Sequence, residues 1–275
     1  MGIDRIKQKF SQIKKEGRTG LILFLTVGYP DIQTTRELIP ALVEAGADAI
    51  ELGVPFSDPL ADGATIQASS FHALRQGTSI RDCLKTVEDL RQEVPETPLI
   101  LMGYYNPIFQ FGLTDFCNTA HSVGVDGLIV PDLPIEEAEP LHDQCRPKGI
   151  HLVPLLAPTS TEDRIKTICA IASGFIYCLT VTGVTGTRDS LPTDMDQLVN
   201  RVRRHTDLPI GVGFGISTRE HLEAVGRIAD AAIVGSALIR AIQDSSRSQI
   251  IERATQFVRE LRGTSPGLST SKEDC

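Results

Sequence analysis

The sequence predicts a single (β/α)8 TIM barrel with one additional helix at its N-terminus. Eight short, apolar, β-branched segments recur along the 275 residues, and each is followed by a turn signal and an amphipathic segment. A chain of this length, 41% hydrophobic, can bury one large core and has the usual size of such a barrel. No Gly-x-Gly-x-x-Gly motif follows the first segment, which disfavours the alternative of an open, dinucleotide-binding sheet.

The strands of this barrel are predicted from the apolar runs. They cover residues 21–26, 48–53, 98–103, 126–130, 151–156, 174–180, 209–213 and 230–234. No linker-like stretch divides the chain in the middle. We therefore expect one barrel domain over residues 1–262, followed by a polar, disordered tail over residues 263–275.

The helices between these strands are predicted from apolar residues at helical spacing. One helix is expected to begin after Asp31, a suitable N-cap, and to end at Gly46. Residues 80–90 and 250–261 carry similar apolar stripes that would pack outside the sheet. Residues 3–15 are predicted to form the additional helix, which could cover the floor of the barrel.

Composition excludes several classes of protein. The formal net charge of -8 argues against nucleic acid or an anionic membrane as the main partner, because either would require a basic face. No apolar run approaches the ~20 residues needed to span a bilayer, and the N-terminus is unlike a secretory signal. The six cysteines form no C-x-x-C pair, so neither a disulfide framework nor a metal site is expected. We predict a cytoplasmic protein that binds no metal.

Glu51 is the first candidate for chemistry. In the second predicted strand, Ile50 and Leu52 alternate with Ala49, Glu51 and Gly53, so Glu51 shares a face with small residues near the strand's carboxyl end. In a barrel this end carries the active site. Partial burial would raise the pKa of such a carboxyl toward the range useful for proton transfer. The alternative is a structural glutamate that is satisfied by the backbone or by an arginine.

The loop after this strand contributes two further acids. Asp62 precedes a predicted helix that starts near Ala64, and an N-terminal cap is as good an interpretation as a catalytic role. Asp58 lies between Ser57 and Pro59, which suits a turn or a contact with a partner.

Glycine-rich loops follow the last three predicted strands, at residues 182–186, 213–217 and 234–238. Loops after the seventh and eighth strands of a barrel, with a helix N-terminus behind them, commonly bind phosphate through backbone N–H groups. Each loop alone indicates only turn geometry, but three at one end favour a phosphate site. The candidate residues are Gly186, Gly215, Gly235 and Ser236.

Aromatic residues near the strand ends could form a wall for a flat, apolar ligand. Phe24, Tyr177 and Phe214 occupy such positions, although core packing is the better explanation of each residue taken singly. None of the predicted strands contains a lysine, so a Schiff-base aldolase would lack its nucleophile. The six histidines fall mostly on helices or at strand starts, so a metal-dependent aldolase would lack its ligands. Carbonyl chemistry would have to rely on carboxylate acid–base catalysis.

Several motifs carry a resemblance to a known family. They are ELGVPFSDPLADG at 51–63, YYNPIFQFG at 104–112, PDLPIEEA at 131–138, GVTG at 183–186 and GFGIS at 213–217. Through them, and over nearly its whole length, the chain resembles the tryptophan synthase alpha subunit. The resemblance implies retro-aldol cleavage of indole-3-glycerol phosphate to indole and glyceraldehyde 3-phosphate. It also implies no cofactor in this subunit and a pyridoxal phosphate-containing beta subunit as partner, in an alpha2beta2 assembly.

The resemblance also implies roles for particular residues. It places the catalytic acids at Glu51 and Asp62. The other implied positions are Phe24, Leu101, Ile129, Tyr177 and Phe214 for the substrate, Gly186, Gly215, Gly235 and Ser236 for its phosphate, and Asp58, Tyr105, Asn106, Pro107 and Phe109 for the partner interface.

Three other functions remain open at this point. One is a sugar-phosphate isomerase or epimerase, whose usual metal ligands or second base are not evident in the sequence. The others are a non-catalytic activating subunit and a stand-alone indole-releasing lyase. The presence of both Glu51 and Asp62 speaks against the non-catalytic subunit.

Overall fold

A sheet of nine parallel strands organises the protein, whose computed structural model describes residues 4–179, 193–213 and 215–264. The strands are β1 (Gly20–Thr26), β2 (Ala49–Gly53), β3 (Leu99–Met102), β4 (Gly127–Ile129), β5 (His151–Leu152), β6 (Leu155–Leu156), β7 (Ile176–Leu179), β8 (Ile210–Gly213) and β9 (Ala231–Val234). Their order in the sheet is β5-β4-β3-β2-β1-β9-β8-β7-β6. Each of the eight predicted strands therefore overlaps an observed strand or, for residues 151–156, a pair of strands.

The two edges of the sheet are halves of one extended segment. β5 pairs with β4, and β6 pairs with β7. Between the halves, the Val153 N–H donates to the Leu128 carbonyl (2.9 Å) and the Pro154 carbonyl accepts from the Tyr177 N–H (3.0 Å). Pro154 has no N–H to donate, which interrupts the ladder between β5 and β6. The segment from β5 to β6 therefore connects the two edges of the sheet, as in a barrel of eight β/α units.

Helices alternate with the strands. They are α1 (Arg5–Glu16), α2 (Ile32–Glu44), α3 (Ala64–Arg75), α4 (Ile80–Glu93), α5 (Tyr105–Phe111), α6 (Leu113–Val123), α7 (Glu139–Cys145), α8 (Glu162–Ile171), α9 (Thr193–Arg203), α10 (Arg219–Gly226), α11 (Ser236–Gln243) and α12 (Arg247–Arg262). As predicted, Asp31 caps α2: its carboxylate accepts the Thr34 N–H at 2.7 Å. Within the described ranges, no helix is both long and apolar enough to cross a bilayer. Gly263 ends α12, and residues 265–275 of the predicted tail lie outside the described residues.

Apolar side chains form two layers because successive strand residues face opposite sides of the sheet. The outer cluster contains residues such as Leu23 and Ile50 together with the apolar faces of the helices. The inner cluster contains alternate residues, among them Ile22 and Ile100, and also Phe10 of α1. The Phe10 and Phe175 ring centroids lie 5.6 Å apart. Helix α1 therefore packs against the inner face of the sheet near the amino ends of its strands.

Aspartates fix the amino ends of the strands. Asp48, immediately before β2, donates its N–H to the Leu21 carbonyl (2.8 Å), and its carboxylate accepts the Leu21 N–H (2.9 Å). The same reciprocal pairs occur at Asp126 with Leu99 and at Asp230 with Ile210. Each carboxylate also pairs with arginine: Arg18 and Arg262 with Asp48, Arg5 and Arg91 with Asp126, and Arg203 with Asp230. These aspartate–arginine pairs thus lie at the amino ends of the strands, opposite to the end that carries the loop of Asp62.

Candidate active site

Glu51 occupies the inner face of the sheet, in the middle of β2. Its register partners on the adjacent strands are Phe24 and Ile100, so apolar residues flank it. The side chain is 0% exposed, and among the residues that the structure describes neither carboxylate oxygen has a hydrogen-bond partner. Burial raises the pKa of Glu51 from 4.5 to about 8. The alternative of a structural glutamate satisfied by an arginine or the backbone is thus not what the structure contains, and the carboxyl is poised to exchange a proton near neutral pH.

Asp62 lies in the loop between β2 and α3 and is half-buried. Burial raises its pKa from 3.8 to about 6, and a hydrogen bond from the Tyr104 hydroxyl acts in the opposite direction. The helix-cap interpretation is wrong, because Gly63 is the N-cap residue of α3 and no side chain caps that helix. The Asp62 carboxylate therefore remains available for a ligand.

Tyr177 brings the two acids into one site. It lies on the inner face of β7, where its ring covers Gly213: a Cβ added at Gly213 would lie 2.5 Å from the Tyr177 hydroxyl. The pKa of Tyr177 is raised well above its usual value, by burial first and then by the charges of Glu51 and Asp62. Tyr177 is therefore close enough to both carboxyl groups to respond to their charge, as its predicted place in the site requires.

Apolar residues form the wall around these groups. The Phe24 ring rests on Gly53, where an added Cβ would lie 2.6 Å from the ring, and against Gly235, at 3.3 Å. These two glycines leave room for the aromatic ring inside the sheet. Ile129, a predicted substrate residue, is fully buried in the inner cluster, and its register partner Met102 packs against the same cluster. Phe214 lies outside the described residues.

The placement of Leu101 in the substrate pocket was wrong. Leu101 is buried in the outer cluster, where it lines a small cavity with Ile108 and Phe116 of the surrounding helices. Because strand residues alternate between faces, an assignment shifted by one residue moves a side chain to the other side of the sheet. Met102 is the β3 residue that faces the interior, and it lines a cleft together with Asp62.

The predicted phosphate residues lie at the carboxyl ends of β8 and β9, which are neighbours in the sheet. Gly235 is the N-cap residue of α11, and Ser236 is the first residue of that helix. Gly215 has a φ of 36°, in the left-handed region, and a Cβ there would have no described atom within 4 Å apart from those of its chain neighbours. The start of α11 thus presents its N–H groups and positive dipole end beside the loop of Gly215. Gly186 lies outside the described residues.

The predicted partner residues form an exposed edge of the same site. Asp58 and Asn106 are exposed, and Tyr105 and Pro107 are half-buried. Phe109 is 58% exposed, and its ring centroid lies 5.9 Å from that of Tyr105. An additional apolar side chain lies in the loop of Asp62: Leu60 is 94% exposed. An exposed leucine and phenylalanine among polar residues are typical of an interaction surface.

Sequence reasoning missed three residues near this site: Leu60, Met102 and Tyr104. Tyr104 lies two residues after the end of β3, in the region where barrel strands place functional side chains, so a signal for it was present. The YYNPIFQFG motif was instead interpreted as a surface for a partner. Leu60 gave no signal, because nothing in the sequence tells whether a leucine in a loop is covered.

Comparison with known proteins agrees with this geometry. A family model described as the tryptophan synthase alpha chain matches residues 10–265. The tryptophan synthase alpha chain of Roseiflexus castenholzii (strain DSM 13941 / HLO8) is 49% identical over 261 residues, which cover 95% of this chain and 100% of that protein. Two solved structures have the same fold. Tryptophan synthase subunit alpha from Legionella pneumophila is 33% identical with a TM-score of 0.87, covering 96% of this chain and 98% of that one. A chain of the tryptophan synthase complex from Pyrococcus furiosus is 39% identical with a TM-score of 0.82, covering 89% and 98%.

Proposed function

Since this chain belongs to the tryptophan synthase alpha chain family, we propose that Glu51 and Asp62 are the residues with which it cleaves its substrate. The chain is a lyase of tryptophan biosynthesis, and it converts indole-3-glycerol phosphate to indole and glyceraldehyde 3-phosphate. The observation that carries the proposal is the environment of Glu51. Its side chain is fully buried, faces the same interior as Tyr177, and has no hydrogen-bond partner for either carboxylate oxygen within residues 4–179, 193–213 and 215–264. The test is to measure indole release by the Glu51→Gln and Asp62→Asn variants.

Glu51 performs the proton transfers in this mechanism. A proton added at indole C3 makes that carbon tetrahedral and leaves the ring nitrogen positively charged. Glu51 removes the proton of the substrate hydroxyl, the carbon–carbon bond breaks to give the aldehyde, and the bonding electrons return to the indole ring. The proton taken from the hydroxyl replaces the one delivered to C3, so the reaction is balanced. General acid–base catalysis of this kind contributes roughly 10² to 10⁴ in rate.

Asp62 stabilises the charge that develops on the ring. When C3 is protonated, the indole N–H becomes a stronger hydrogen-bond donor, and the carboxylate of Asp62 accepts from it. This interaction strengthens toward the transition state, which is the requirement for a contribution to kcat. Phe24, Met102, Ile129 and Tyr177 form the apolar walls that hold the indole ring and limit water, which strengthens the charge interaction further.

The substrate phosphate is proposed to bind at the start of α11, to N–H groups of Gly235 and Ser236, with Gly215 and Gly186 beside them. Position 215 tests this. Gly215→Asp should weaken the binding of inorganic phosphate or glycerol 3-phosphate at least about tenfold, since it adds a negative charge to the anion site. Isothermal titration calorimetry measures the affinity.

A matched control separates charge from backbone strain. Gly215→Asn has nearly the same size, and asparagine tolerates the left-handed backbone at this position better than most residues. We expect this variant to bind phosphate more tightly than Gly215→Asp. Equal affinities in the wild type and the aspartate variant would place the phosphate elsewhere.

We further propose that a tryptophan synthase beta subunit docks over the loop that carries Asp62. The exposed side chains of Leu60 and Phe109 support this, because a partner that covers these two apolar side chains would remove them from water. The partner would hold the pyridoxal phosphate, this subunit would need no cofactor, and the assembly would contain two copies of each chain in the cytoplasm. In the same scheme, α1 is an addition to eight β/α units and closes the amino end of the barrel.

Docking should accelerate the reaction, because a partner that orders the Asp62 loop improves the geometry of catalysis. We expect indole release to rise when the beta subunit is added. The ratio of the two rates should fall in Asn106→Asp, Asp58→Ala and Phe109→Ala. Ile171→Ala serves as control because Ile171 is an apolar residue of α8 that is 41% exposed and lies outside this surface. Unchanged rates on adding the partner, with no complex in sedimentation, would favour a stand-alone lyase.

A further inference from the structure

Tyr104 lies between the wall of the site and the loop of Asp62. Its side chain is buried, at 4% exposure, and its ring stacks on Phe56, with centroids 5.1 Å apart and planes at 27°. The hydroxyl accepts the backbone N–H of Ala61 at 2.9 Å. Tyr104 and Asp62 also line the same small cleft, and the pKa of each group responds to the other. The hydroxyl thus holds Ala61 directly, and the next residue of the loop is Asp62.

Side chains of α3 hold the rest of the loop by hydrogen bonds to the loop backbone. The Phe56 N–H donates to the Ser70 hydroxyl (3.0 Å), and the Gln67 amide donates to the Asp62 carbonyl (2.9 Å). These bonds place the loop backbone on the helix, and neither of them involves the Asp62 carboxylate. The direction of its carboxylate must therefore be set by another group.

The numbers of donor hydrogens and acceptor lone pairs on a phenol determine which hydrogen bonds Tyr104 can make. A tyrosine hydroxyl has one hydrogen to donate and lone pairs with which to accept. Because the Ala61 N–H donates to a lone pair, the hydroxyl hydrogen is available for the Asp62 carboxylate. Such a bond fixes the side-chain direction and favours the charged form of the acid.

We propose that Tyr104 is a positioning residue for this reaction, whose hydroxyl aims the carboxylate of Asp62 at the indole N–H. The inference rests on the proposed function, in which Asp62 carries the charge that stabilises the indole ring. Tyr104 acts through Asp62 and through the Ala61 N–H, and it takes no proton from the substrate. The stacking on Phe56 holds the phenol in place while the loop adjusts to a ligand.

The titratable groups near Asp62 come from several elements. Tyr104 follows β3, and Tyr177 lies on β7 and responds to the charges of both Asp62 and Glu51 on β2. Asp132, which follows β4, acts on Tyr104. Of these groups, Tyr104 lowers the pKa of Asp62, whose rise to about 6 comes from burial. Loss of the Tyr104 hydroxyl should therefore raise the pKa of Asp62 further.

The test is Tyr104→Phe, which keeps the ring on Phe56 and removes only the hydroxyl. Carbon-13 NMR of the Asp62 carboxyl should show its titration midpoint moving to higher pH, by about half to one pH unit. At neutral pH we expect kcat to fall about five- to tenfold with little change in KM, and part of the loss to be recovered at higher pH. The matched control is Tyr29→Phe, which removes a hydroxyl outside the cleft and should leave both the midpoint and kcat unchanged.

Two results would overturn the inference. One is an unchanged Asp62 midpoint in a folded Tyr104→Phe protein. The other is an equal loss of kcat on adding Tyr104→Phe to Asp62→Asn, because a residue that acts through Asp62 has no further effect once the charge is gone. The titration does not depend on turnover. Failure of the proposed function, seen as full activity of Asp62→Asn, is therefore distinguishable from failure of the role of Tyr104.

Discussion

Glu51→Gln is expected to abolish detectable cleavage of indole-3-glycerol phosphate while the protein stays folded and still binds phosphate. Glutamine keeps the shape of the side chain in its closed apolar setting but cannot accept the hydroxyl proton. In the described part of the chain, no group is hydrogen-bonded to the Glu51 carboxylate and could take the proton in its place. Indole release measured at high enzyme concentration, with phosphate affinity by calorimetry as the check on the site, gives the answer. Near-normal turnover in this variant would contradict the assignment of Glu51.

The pH dependence of stability provides an independent check on the same residue. The pKa of Glu51 in the folded protein, about 8, lies above its ordinary 4.5. Its contribution to the free energy of unfolding is therefore fully present below pH 4.5 and is lost as the pH rises from 4.5 through about 8. Glutamine has no such loss. The melting temperature of Glu51→Gln relative to the wild type should rise between these values, and a constant difference would mean that the carboxyl is not buried as described.

The pH dependence of the wild-type activity should report the ionisation of Glu51 and Asp62. The reaction begins with Glu51 protonated, so that it can deliver the proton to C3, and with Asp62 ionised, so kcat/KM should rise with pH through about 6 and fall again above about 8. These midpoints are set by burial in the free protein. The pH profile of kcat instead reports the pKa values of the two acids in the complex with substrate. These values can differ from those of the free protein because the ligand changes the surroundings of both groups.

Most of what could be predicted about the site came from the alternation of inward-facing and outward-facing residues along the strands. The alternation of Ile50 and Leu52 with Glu51 was enough to place that carboxyl on the inner face, and the structure confirms it. The same rule explains the error at Leu101, since a shift of one position from Met102 puts the side chain in the outer layer. In a buried parallel strand both faces are apolar, so LILM gives no contrast from which to choose the inward residue.

Contacts between distant segments could not be predicted in this way. The bond from the Ala61 N–H to Tyr104 joins residues 43 positions apart, and its existence depends on how the loop folds over β3. The ambiguity of Asp62 had a related cause. An aspartate two residues before a helix suits a cap or a catalytic group equally, and only the observed start of α3 after Gly63 separates the two. The exposure of Leu60 likewise became visible only once the loop had a conformation.

Asp62→Asn is expected to lower kcat by roughly three orders of magnitude with a much smaller effect on substrate affinity. Asparagine can still accept a hydrogen bond from the indole N–H, so binding of the substrate persists. It carries no charge, however, and the interaction lost is the one that grows as the ring nitrogen becomes positive. Removal of a single preorganised group of this kind costs about 10² to 10³ in kcat, and loss of a full charge in a water-poor site belongs at the upper end. Steady-state measurement of kcat and KM separates the two effects.

The control for this variant is Asp143→Asn, since Asp143 on α7 is a surface acid whose side chain is 68% exposed. It should keep full activity. Stability separates catalysis from a structural role. The pKa of Asp62 in the folded protein, about 6, lies above its ordinary 3.8, so its ionisation costs stability as the pH rises from 3.8 through about 6. Above pH 6, Asp62→Asn should therefore melt no lower than the wild type. A variant that kept its rate but melted at a lower temperature would show that Asp62 supports the start of α3 after all, and that the charge on the indole ring is stabilised by another group.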